Sequence, residues 1–378
     1  MNQPPPQTRA WVEIDRRQLE ENFRRLRADM PPGLRFGAVV KDEAYGHGAA
    51  TVAKTATQHG AALLYVSNVD EGIALREAGL ELPITVFGER APEELEVMQQ
   101  WKLTPVVGSL EGARAVISLA AKLNGKIDVY LEIDTGMGRW GFHRRREHRQ
   151  LAEVASMDSL HILGVDTHFP MSDESDKSFA NGQISDFHQT VDAIESETGR
   201  SLGSRSLCNT GGYLDLPSAH ADRVRLGILP LGVWPSKVCR RIPGIQPALS
   251  VRARVARVKA LDTGNNVGYG LRYQAPEPRR IAVLPLGYGD GMPRLRNSGH
   301  VLIHGKPAPI VGGNAMDATM VDVSAIPETR AGSIATILGI DGVESISAHD
   351  IATWKGTVSY EAITAWRGRL PRIETTSP

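Results

Sequence analysis

The sequence has little cysteine, no excess of either charge and no long apolar run. Cys208 and Cys239 are the only cysteines among 378 residues, and they lack paired spacing, which argues against a disulfide framework or a zinc site. Lys and Arg together number 43, as do Asp and Glu, so the basic excess typical of nucleic-acid or membrane-surface binding is missing. No apolar run is long enough to span a bilayer, and the N-terminus, MNQPPPQTRA, lacks the pattern of a signal peptide. We therefore expect a soluble, cytoplasmic protein that has no metal site and binds neither nucleic acid nor membrane.

The length of the chain predicts two domains, because 378 residues are too many for one ordinary hydrophobic core. Residues 1–9 are proline-rich and polar, which predicts a disordered leader. Residues 10–240 are assigned to a first domain and residues 241–378 to a second. A short predicted strand opens the first domain, and Asp15 is predicted to cap a helix that runs through Leu26.

The first domain alternates short apolar runs with longer amphipathic segments. Such runs, bounded by polar turns, are typical of buried parallel strands. Eight repeats of this kind in about 200 residues predict a parallel (β/α)8 barrel, and an open, doubly wound sheet is the alternative because it fits the same pattern. The predicted strands are Phe36–Val40, Ala62–Ser67, Ile84–Phe87, Thr104–Val107, Ile127–Ile133, Ile162–Asp166, Arg205–Cys208 and Val224–Leu226.

The second domain is predicted to be mostly β. Residues 248–340 carry no long helical pattern, and period-two alternation appears instead, as in LSVRARVARV at Leu249–Val258. Two short helices are predicted near His349–Trp354 and Tyr360–Trp366. The expected fold is therefore α/β, a TIM-type (β/α)8 barrel followed by a mostly β C-terminal domain.

The stretch RFGAVVKDEAYGHG, at residues 35–48, holds the first residue that could carry chemistry. Lys41 stands where the buried strand Phe36–Val40 ends, and Gly46 and Gly48 loosen the backbone beyond it. Burial removes water from an ammonium group and so lowers its pKa, which makes the amine a usable nucleophile. A lone lysine at the end of a strand more often extends its ammonium group into solvent. Whether Lys41 is a reactive amine therefore depends on the residues around it.

Polar residues also follow several of the other predicted strands. The active site of a (β/α)8 barrel forms at the C-terminal ends of its strands, so these residues are expected to meet at one rim. The loops after strands seven and eight are the usual phosphate site of this fold. A phosphate there, with a lysine across the barrel mouth, suggests pyridoxal phosphate bound covalently to that lysine. The rim residues are Lys41, Tyr45, Glu132, Asp134, Arg139, His168, Asn209, Thr210, Arg225, Gly227 and Ile228.

Motifs spread along the chain point to a known family. In order they are AVVKDEAYGHG, DTGMGRWGF, THF, CNT, RLGI, VGYG, LPLGYGDG and AMDATM, of which the first is highly specific. Together they resemble the motifs of alanine racemases over about residues 10–372. The resemblance implies a barrel followed by a β domain, pyridoxal phosphate as cofactor, and a homodimer in which each active site borrows residues from the other subunit's C-terminal domain.

The resemblance implies two bases on opposite faces of the substrate. Lys41 would hold the cofactor and serve as one base, and Tyr269, in VGYG, would reach in from the other subunit as the second. Two such bases can remove the α-proton from one face and return a proton to the other. Arg225 would face the pyridine nitrogen of the cofactor, with His168 as its hydrogen-bond partner.

The resemblance also implies further contacts to cofactor and substrate. Arg139 would lie near a cofactor oxygen and the substrate carboxylate. Met316 and Asp317 would lie near the substrate bound by the other subunit, and Tyr288 and Asp173 match a narrow access channel. The remaining implied cofactor contacts, most of them to the phosphate, are Tyr45, Asn209, Thr210, Gly227 and Ile228.

Four positions depart from the pattern of the family. Glu43 stands where an asparagine usually occurs, Gly313 where an arginine often lies near the access channel, and Gly368 where some members have a phosphate-binding tyrosine. Glu132 stands where many members carry a carbamylated lysine. Because its strand alternates polar and apolar residues, Glu132 is expected to point into the barrel and to pair with Arg139. A permanent carboxylate would make activity independent of bicarbonate.

The resemblance thus implies an alanine racemase, an isomerase that supplies D-alanine for peptidoglycan. A broader amino-acid or serine racemase is the alternative with the same chemistry. A non-catalytic pyridoxal-phosphate carrier is a further alternative, but such a carrier would lack the second domain with VGYG, so the presence of this domain argues against it. A decarboxylase on the same two-domain plan usually has a reactive cysteine where this chain has Ala315–Met316–Asp317.

Overall fold

The computed structural model describes residues 7–366 and 368–376, which form a barrel and a mostly β domain. Residues 1–6 of the predicted leader lie outside the described residues. Within the described ranges, no helix is long and apolar enough to cross a membrane. The predicted fold class is confirmed.

The first helix begins as the sequence predicts. Strand β1 (Ala10–Asp15) leads directly into helix α1 (Arg16–Asp29). The Asp15 carboxylate caps this helix by accepting a hydrogen bond from the Gln18 N–H at 3.0 Å. Leu19, Phe23 and Leu26, at helical spacing, are fully buried on one face of the helix.

Eight parallel strands form the barrel. The last of them pairs with the first, with Val224 beside Phe36, which excludes the open, doubly wound sheet. The ring is nearly closed between the seventh and eighth strands, where the Arg225 N–H donates to the Cys208 carbonyl at 2.9 Å. The barrel strands are β2 (Arg35–Val39), β3 (Leu63–Val66), β4 (Ile84–Val86), β5 (Leu103–Val107), β6 (Ile127–Asp134), β8 (Leu160–Asp166), β9 (Ser204–Ser206) and β10 (Arg223–Leu226), and a two-residue strand, β7 (Phe142–His143), pairs with the end of β6.

Helices cover the outside of the barrel, so its strands are buried on both faces, as in Leu63–Val66. Polar side chains mark where several of these helices begin. Asn68 and Ser109, for example, each accept a hydrogen bond from the N–H three residues further along the chain. The helices are α2 (Lys41–Gly46), α3 (Ala49–Gln58), α4 (Val69–Glu77), α5 (Pro92–Gln100), α6 (Leu110–Lys122), α7 (His148–Ala155), α8 (Ser178–Thr198) and α9 (Thr210–Asp215).

The C-terminal domain is built from three sheets of seven, three and two strands. The elements of this domain are β11 (Leu249–Arg254), β12 (Arg257–Leu261), β13 (Asn266–Val267), β14 (Tyr273–Gln274), β15 (Arg279–Leu284), β16 (His300–Ile303), β17 (Lys306–Pro309), β18 (Thr319–Asp322), β19 (Ile334–Asp341), β20 (Glu344–Ile346), α10 (Ala348–Lys355), α11 (Ser359–Thr364) and β21 (Arg372–Thr375). In the largest sheet, the strand order is β17-β16-β19-β11-β1-β21, with β20 paired to β19.

The boundary between the domains differs from the predicted one at the N-terminus. Residues 10–15 were assigned to the first domain, yet β1 lies in the large C-terminal sheet. Ala10 stands opposite Ala253 in the antiparallel strand β11, and Val12 stands beside Arg372 in the parallel strand β21. Its partners are distant in sequence, so the local pattern reveals a strand but not the sheet to which it belongs.

The carboxylate of Asp290 ties the N-terminal segment to a loop of the C-terminal domain. Its side chain is fully buried, and Arg9 donates to both of its oxygens, at 2.6 and 3.2 Å. Further contacts come from the Gly287 N–H at 3.0 Å and from Arg369 at 3.2 Å. Burial alone would raise the pKa of Asp290, but the hydrogen bonds from Arg9 and Gly287 lower it overall. The ionised carboxylate therefore fixes the loop that carries Tyr288.

We predict that Arg9→Ala lowers the free energy of unfolding by about 2–3 kcal/mol at pH 7, because Asp290 keeps its charge with fewer partners. The difference should shrink as the pH falls through the lowered pKa of Asp290, since a protonated carboxyl does not need the guanidinium. Urea unfolding at several pH values measures both effects.

Arg16→Ala is the matched control. Arg16 pairs with Glu374 at 3.4 Å, and both side chains are about half exposed, so the loss should stay below about 1 kcal/mol. An Arg9 variant no less stable than the Arg16 variant would contradict the importance of the buried pair.

Candidate active site

A cavity of about 410 Å³ opens at the C-terminal ends of the barrel strands. The barrel brings together residues from almost the whole first domain, because parallel strands all end on the same side. Asp134, also expected at this rim, instead accepts hydrogen bonds from the N–H groups of Gly136 and Gly138 and organises the loop after β6. Ten of the eleven residues expected at this rim line the cavity, namely Lys41, Tyr45, Glu132, Arg139, His168, Asn209, Thr210, Arg225, Gly227 and Ile228.

The backbone after Lys41 forms a left-handed helical turn. Four consecutive non-glycine residues, Asp42 to Tyr45, have φ between 49° and 54°, a conformation that costs L-residues roughly 1–2 kcal/mol each. The turn is held by the Ala44 N–H, which donates to the Val40 carbonyl at 2.9 Å, and by the Asp42 N–H, which donates to the Glu71 carboxylate at 2.7 Å. Strain of this kind persists where the surrounding structure fixes it, as at binding sites.

Glu43, the first departure from the family pattern, has a structural partner in this turn. Its carboxylate accepts a hydrogen bond from the Ala49 N–H at 3.1 Å, at the first residue of α3. A negative charge at the N-terminus of a helix is favourable. Glu43 thus anchors the end of the turn, and it does not line the cavity.

The environment of Lys41 favours its neutral amine. Burial is the largest cause that lowers the pKa of Lys41, and the charge of Arg139 lowers it further, against weaker opposing effects of Glu71 and Asp42. The ammonium nitrogen lies 5.9 Å from the centroid of the Phe87 ring. A lysine with a lowered pKa can act both as a nucleophile and as a base near neutral pH.

Arg225 is buried in the barrel and held by several acceptors. It donates to the Ser206 carbonyl at 2.9 Å and to the Ser206 hydroxyl at 2.7 Å, and it also contacts the Thr167 carbonyl. The His168 Nδ1 lies 3.4 Å from the guanidinium. Burial, followed by the charge of Arg225, lowers the pKa of His168 far below its usual range, so the imidazole is neutral beside a fixed cation.

A second group of residues lies where the loops after β9 and β10 meet. A Cβ on Gly227 would stand 2.6 Å from the Tyr45 hydroxyl oxygen, so only glycine lets the Tyr45 phenol lie over this backbone. Among the described residues, the N–H groups of Gly227 and Ile228 donate to no acceptor. With the Thr210 hydroxyl, they form a set of neutral donors suited to an anion.

Asn209 lies at the cavity, where its side chain makes three hydrogen bonds within the protein. Its amide donates to the Phe169 carbonyl at 2.9 Å, and its oxygen accepts from the Gly212 N–H at 3.0 Å and from the Ser172 hydroxyl at 2.7 Å. Asn209 lines the cavity, but its polar groups are engaged in shaping the loop that presents Thr210.

Glu132 points into the barrel, as the alternation of its strand predicts, and it lines the cavity. The expected ion pair with Arg139 is not formed among the described residues, although the charge of Arg139 still acts to lower the pKa of Glu132. Burial raises the pKa of Glu132 to about 7; Arg225 opposes this effect more strongly than Arg139 does, and Asp166 reinforces it. Asp166 itself forms a buried ion pair with Arg223.

Several residues expected to act on the substrate lie away from the cavity. Tyr269 and Met316 belong to the C-terminal domain and are 69% and 55% exposed, and Asp317 is exposed beside Met316. Neither Tyr288 nor Asp173 lines the cavity. Within one chain, the structure therefore does not bring Tyr269 and Lys41 into one site.

Sequence reasoning missed other residues that line the cavity, including Ser67, Phe87, Arg90, Trp140, Asp166 and Tyr360. Trp140 follows Arg139 directly, and Ser67, Phe87 and Asp166 end predicted strands, so a rim position could have identified these four. Tyr360 could not be found in this way, because it lies on α11 in the other domain. Among the described residues, no cluster of three His, Cys, Asp or Glu side chains is arranged to hold a metal ion.

Comparison with known proteins gives matches along nearly the whole chain. The model of the alanine racemase N-terminal domain matches residues 14–235, and that of the alanine racemase C-terminal domain matches residues 248–374. A curated relative, an alanine racemase of Nostoc sp., is 37% identical over 369 residues, which cover 97% of this chain and 95% of the relative.

Two solved structures show the same similarity in three dimensions. An alanine racemase of Bacillus anthracis with bound L-Ala-P has a TM-score of 0.91 and 31% identity, covering 99% of this chain and 97% of that one. An alanine racemase of Bartonella henselae with covalently bound pyridoxal phosphate has a TM-score of 0.88 and 26% identity, covering 97% and 100%.

We predict that Glu132→Gln stabilises the protein at alkaline pH once any bound cofactor has been removed. The folded protein keeps a proton on Glu132 up to about pH 7, whereas the unfolded chain loses it near the usual value of 4.5. Ionisation of Glu132 therefore lowers the free energy of unfolding as the pH rises through that window. The variant should be more stable than wild type at pH 8, by up to about 3 kcal/mol, with little gain at pH 5.

Thermal unfolding at both pH values measures the difference, and Glu93→Gln is the control because Glu93 is exposed on α5. An equal effect of Glu132→Gln at pH 5 and pH 8 would show that the buried carboxyl does not titrate between them.

Proposed function

The chain belongs to the alanine racemase family of isomerases, and from this premise we propose that it interconverts L- and D-alanine with pyridoxal phosphate held by Lys41. The observation that carries the proposal is that one cavity combines a desolvated lysine with a set of neutral donors that have no acceptor among the described residues. The covalently bound pyridoxal phosphate in the similar Bartonella henselae structure supports the choice of cofactor.

The residues of the cavity fit this cofactor. The Lys41 amine would bind the aldehyde carbon of the cofactor. The N–H groups of Gly227 and Ile228, with the Thr210 and Tyr45 hydroxyls, would hold the phosphate of the cofactor. Arg225 would face the ring nitrogen. When bound, pyridoxal phosphate supplies an electron-withdrawing ring that acidifies the α-proton of an attached amino acid.

Two bases would then move the proton between the faces of the substrate. Lys41 has a lowered pKa and can take a proton from one face. Tyr269 of a second copy would serve the opposite face, since the Tyr269 of the same chain is exposed and lies outside the cavity. Arg139, which lines the cavity near Lys41, would bind the substrate carboxylate, and Met316 and Asp317 of the second copy would complete the wall around the substrate.

Arg225 would limit the electron withdrawal by the ring. A guanidinium keeps its proton at any pH that a protein tolerates, so Arg225 would donate a hydrogen bond to the ring nitrogen without transferring a proton to it. The five acceptors around Arg225, including His168, hold the guanidinium plane in place. This arrangement would favour rapid return of the proton over side reactions at the ring.

The active form is proposed to be a homodimer with shared sites. Tyr269, Leu271 and Met316 are large apolar side chains that are 69%, 66% and 55% exposed on the C-terminal domain, a patch typical of an interface. We propose a cytoplasmic enzyme, whose D-alanine is used for peptidoglycan.

The direct test is a racemisation assay with L-alanine, L-serine and other L-amino acids, with and without added pyridoxal phosphate. Conversion of L-alanine well above the others is expected, and similar rates with serine would favour the broader racemase. Lys41→Ala should lose the visible absorption band of the bound cofactor and at least about 10³-fold in rate, the scale of a lost acid–base group or more. Lys54→Ala, an exposed change on α3, is the control. A Lys41 variant with the normal band and rate would refute the proposal.

Mixing two inactive variants tests the shared site. Lys41→Ala and Tyr269→Phe each lack one base, but a mixed dimer has one complete site if the bases come from different subunits. Random exchange should then restore about a quarter of wild-type activity, because half of the dimers are mixed and each has one working site. Subunit exchange is first demonstrated, for example by mass spectrometry. If activity is then not recovered, both bases come from one chain.

A further inference from the structure

Residues 315–317, called here the 315–317 loop, present two side chains on the surface of the C-terminal domain. Met316 is 55% exposed, and Asp317 is exposed beside it. The backbone closes this loop on itself with a hydrogen bond from the Ala315 N–H to the Ala318 carbonyl at 2.7 Å. An exposed loop with few internal contacts takes its shape from the residues packed against it.

A neighbouring loop, residues 287–290, supplies those contacts. The Tyr288 N–H donates to the Ala315 carbonyl at 3.1 Å, and the Gly289 N–H donates to the Met316 carbonyl at 2.8 Å. The two loops pack too closely for a side chain between them, since a Cβ on Gly289 would lie 2.9 Å from the Met316 carbonyl oxygen. A shift of residues 287–290 would therefore move the backbone of the 315–317 loop as well.

Asp290 fixes this neighbouring loop from within. Its buried carboxylate accepts a hydrogen bond from the Gly287 N–H at 3.0 Å, so one side chain joins the last residue of the loop to the first. Arg9 binds the same carboxylate at 2.6 Å and Arg369 binds it at 3.2 Å. An Arg369 nitrogen also lies 2.8 Å from where a Cβ of Gly289 would be. A buried charge is stable only with partners, so the two guanidinium groups hold the carboxylate, and with it the loop, in place.

We propose that Asp290 is a positioning residue that acts on the other subunit: by fixing its loop, it holds Met316 and Asp317 against the substrate bound by the second copy. The inference rests on the proposed function, in which these two residues complete the wall around that substrate. Asp290 itself does not touch the substrate, since its side chain is fully buried. Its effect therefore belongs to the active site of the partner and not to the cavity of its own chain.

Mixed dimers of two inactive chains separate the two sites. A first chain with Tyr269→Phe is combined with a second chain with Lys41→Ala. The one working site then takes its lysine from the first chain, and its tyrosine and 315–317 loop from the second. Asp290→Asn is added either to the second chain, which presents the loop, or to the first, which holds the lysine. Neither parent dimer is active, so the measured rate comes from the mixed dimer.

With Asp290→Asn in the chain that presents the loop, the KM for L-alanine should rise about tenfold, because a displaced wall loses contact with the substrate. The kcat should change by less than about twofold, since the backbone before Tyr269 packs on Gly313. With the same substitution in the chain that holds the lysine, both constants should equal those of the mixed dimer without it. Any loss of stability is common to the two dimers, so only the placement of Asp290 explains a difference between them.

Asp341→Asn is the control, because the Asp341 carboxylate also accepts a hydrogen bond from a loop N–H of this domain, that of Gly305 at 2.9 Å. It should leave the KM unchanged in either chain. Equal KM values in the two mixed dimers that carry Asp290→Asn, whether raised or not, would overturn the proposal.

If the Asp290 variant does not fold, Arg369→Gln takes its place, since Arg369 is half exposed and leaves Arg9 on the carboxylate. The same contrast between the two mixed dimers should then appear, with a rise in KM of about threefold, and its absence would equally overturn the proposal. An inactive mixed dimer of Tyr269→Phe and Lys41→Ala alone would instead refute the shared site of the proposed function, and this inference with it.

Discussion

The left-handed turn after Val40 is the constraint on which the rest of the site depends. It places the Lys41 amine at the cavity and returns the chain so that the Tyr45 phenol lies over Gly227. A right-handed turn would send the chain the other way and separate these two groups. The strain is balanced by hydrogen bonds from the turn to Val40 and Glu71, and by the packing of α11 on Gly46. The conformation of the turn, the shape of the cavity beside Gly227 and the packing of the second domain therefore depend on one another.

Burial and charge act together inside the barrel. Arg225 is fixed by backbone and side-chain acceptors and keeps His168 neutral, and Arg139 assists burial in lowering the pKa of Lys41. Burial raises the pKa of Glu132, and the charge of Asp166 adds to this effect although Arg225 and Arg139 oppose it; Asp166 itself pairs with Arg223. The cavity therefore combines guanidinium charges, which favour anionic ligands such as a carboxylate, with Lys41, His168 and Glu132, whose pKa values are shifted towards the neutral form.

The parts of the site that the sequence could predict are those that follow barrel strands. Lys41, His168, Thr210 and Arg225 lie at the rim because the ends of parallel strands meet there, whatever the details of packing. Tyr360 could not be predicted, since its approach depends on how α11 packs against another domain. The placement of β1 was missed for the same reason, because its alternation of buried side chains fits either domain and only pairing decides between them.

The pairing of β1 also has a consequence for how the chain acquires its structure. A ribosome makes Ala10 long before its partner Ala253 and longer still before β21. Until those strands are made, the backbone groups of β1 have no partner in the C-terminal sheet, and an unpaired strand is an edge with which other chains could pair. Closing so long a loop is slow, so completion of the C-terminal sheet, and with it the arrival of α11 at the barrel, belongs to the last stage of folding.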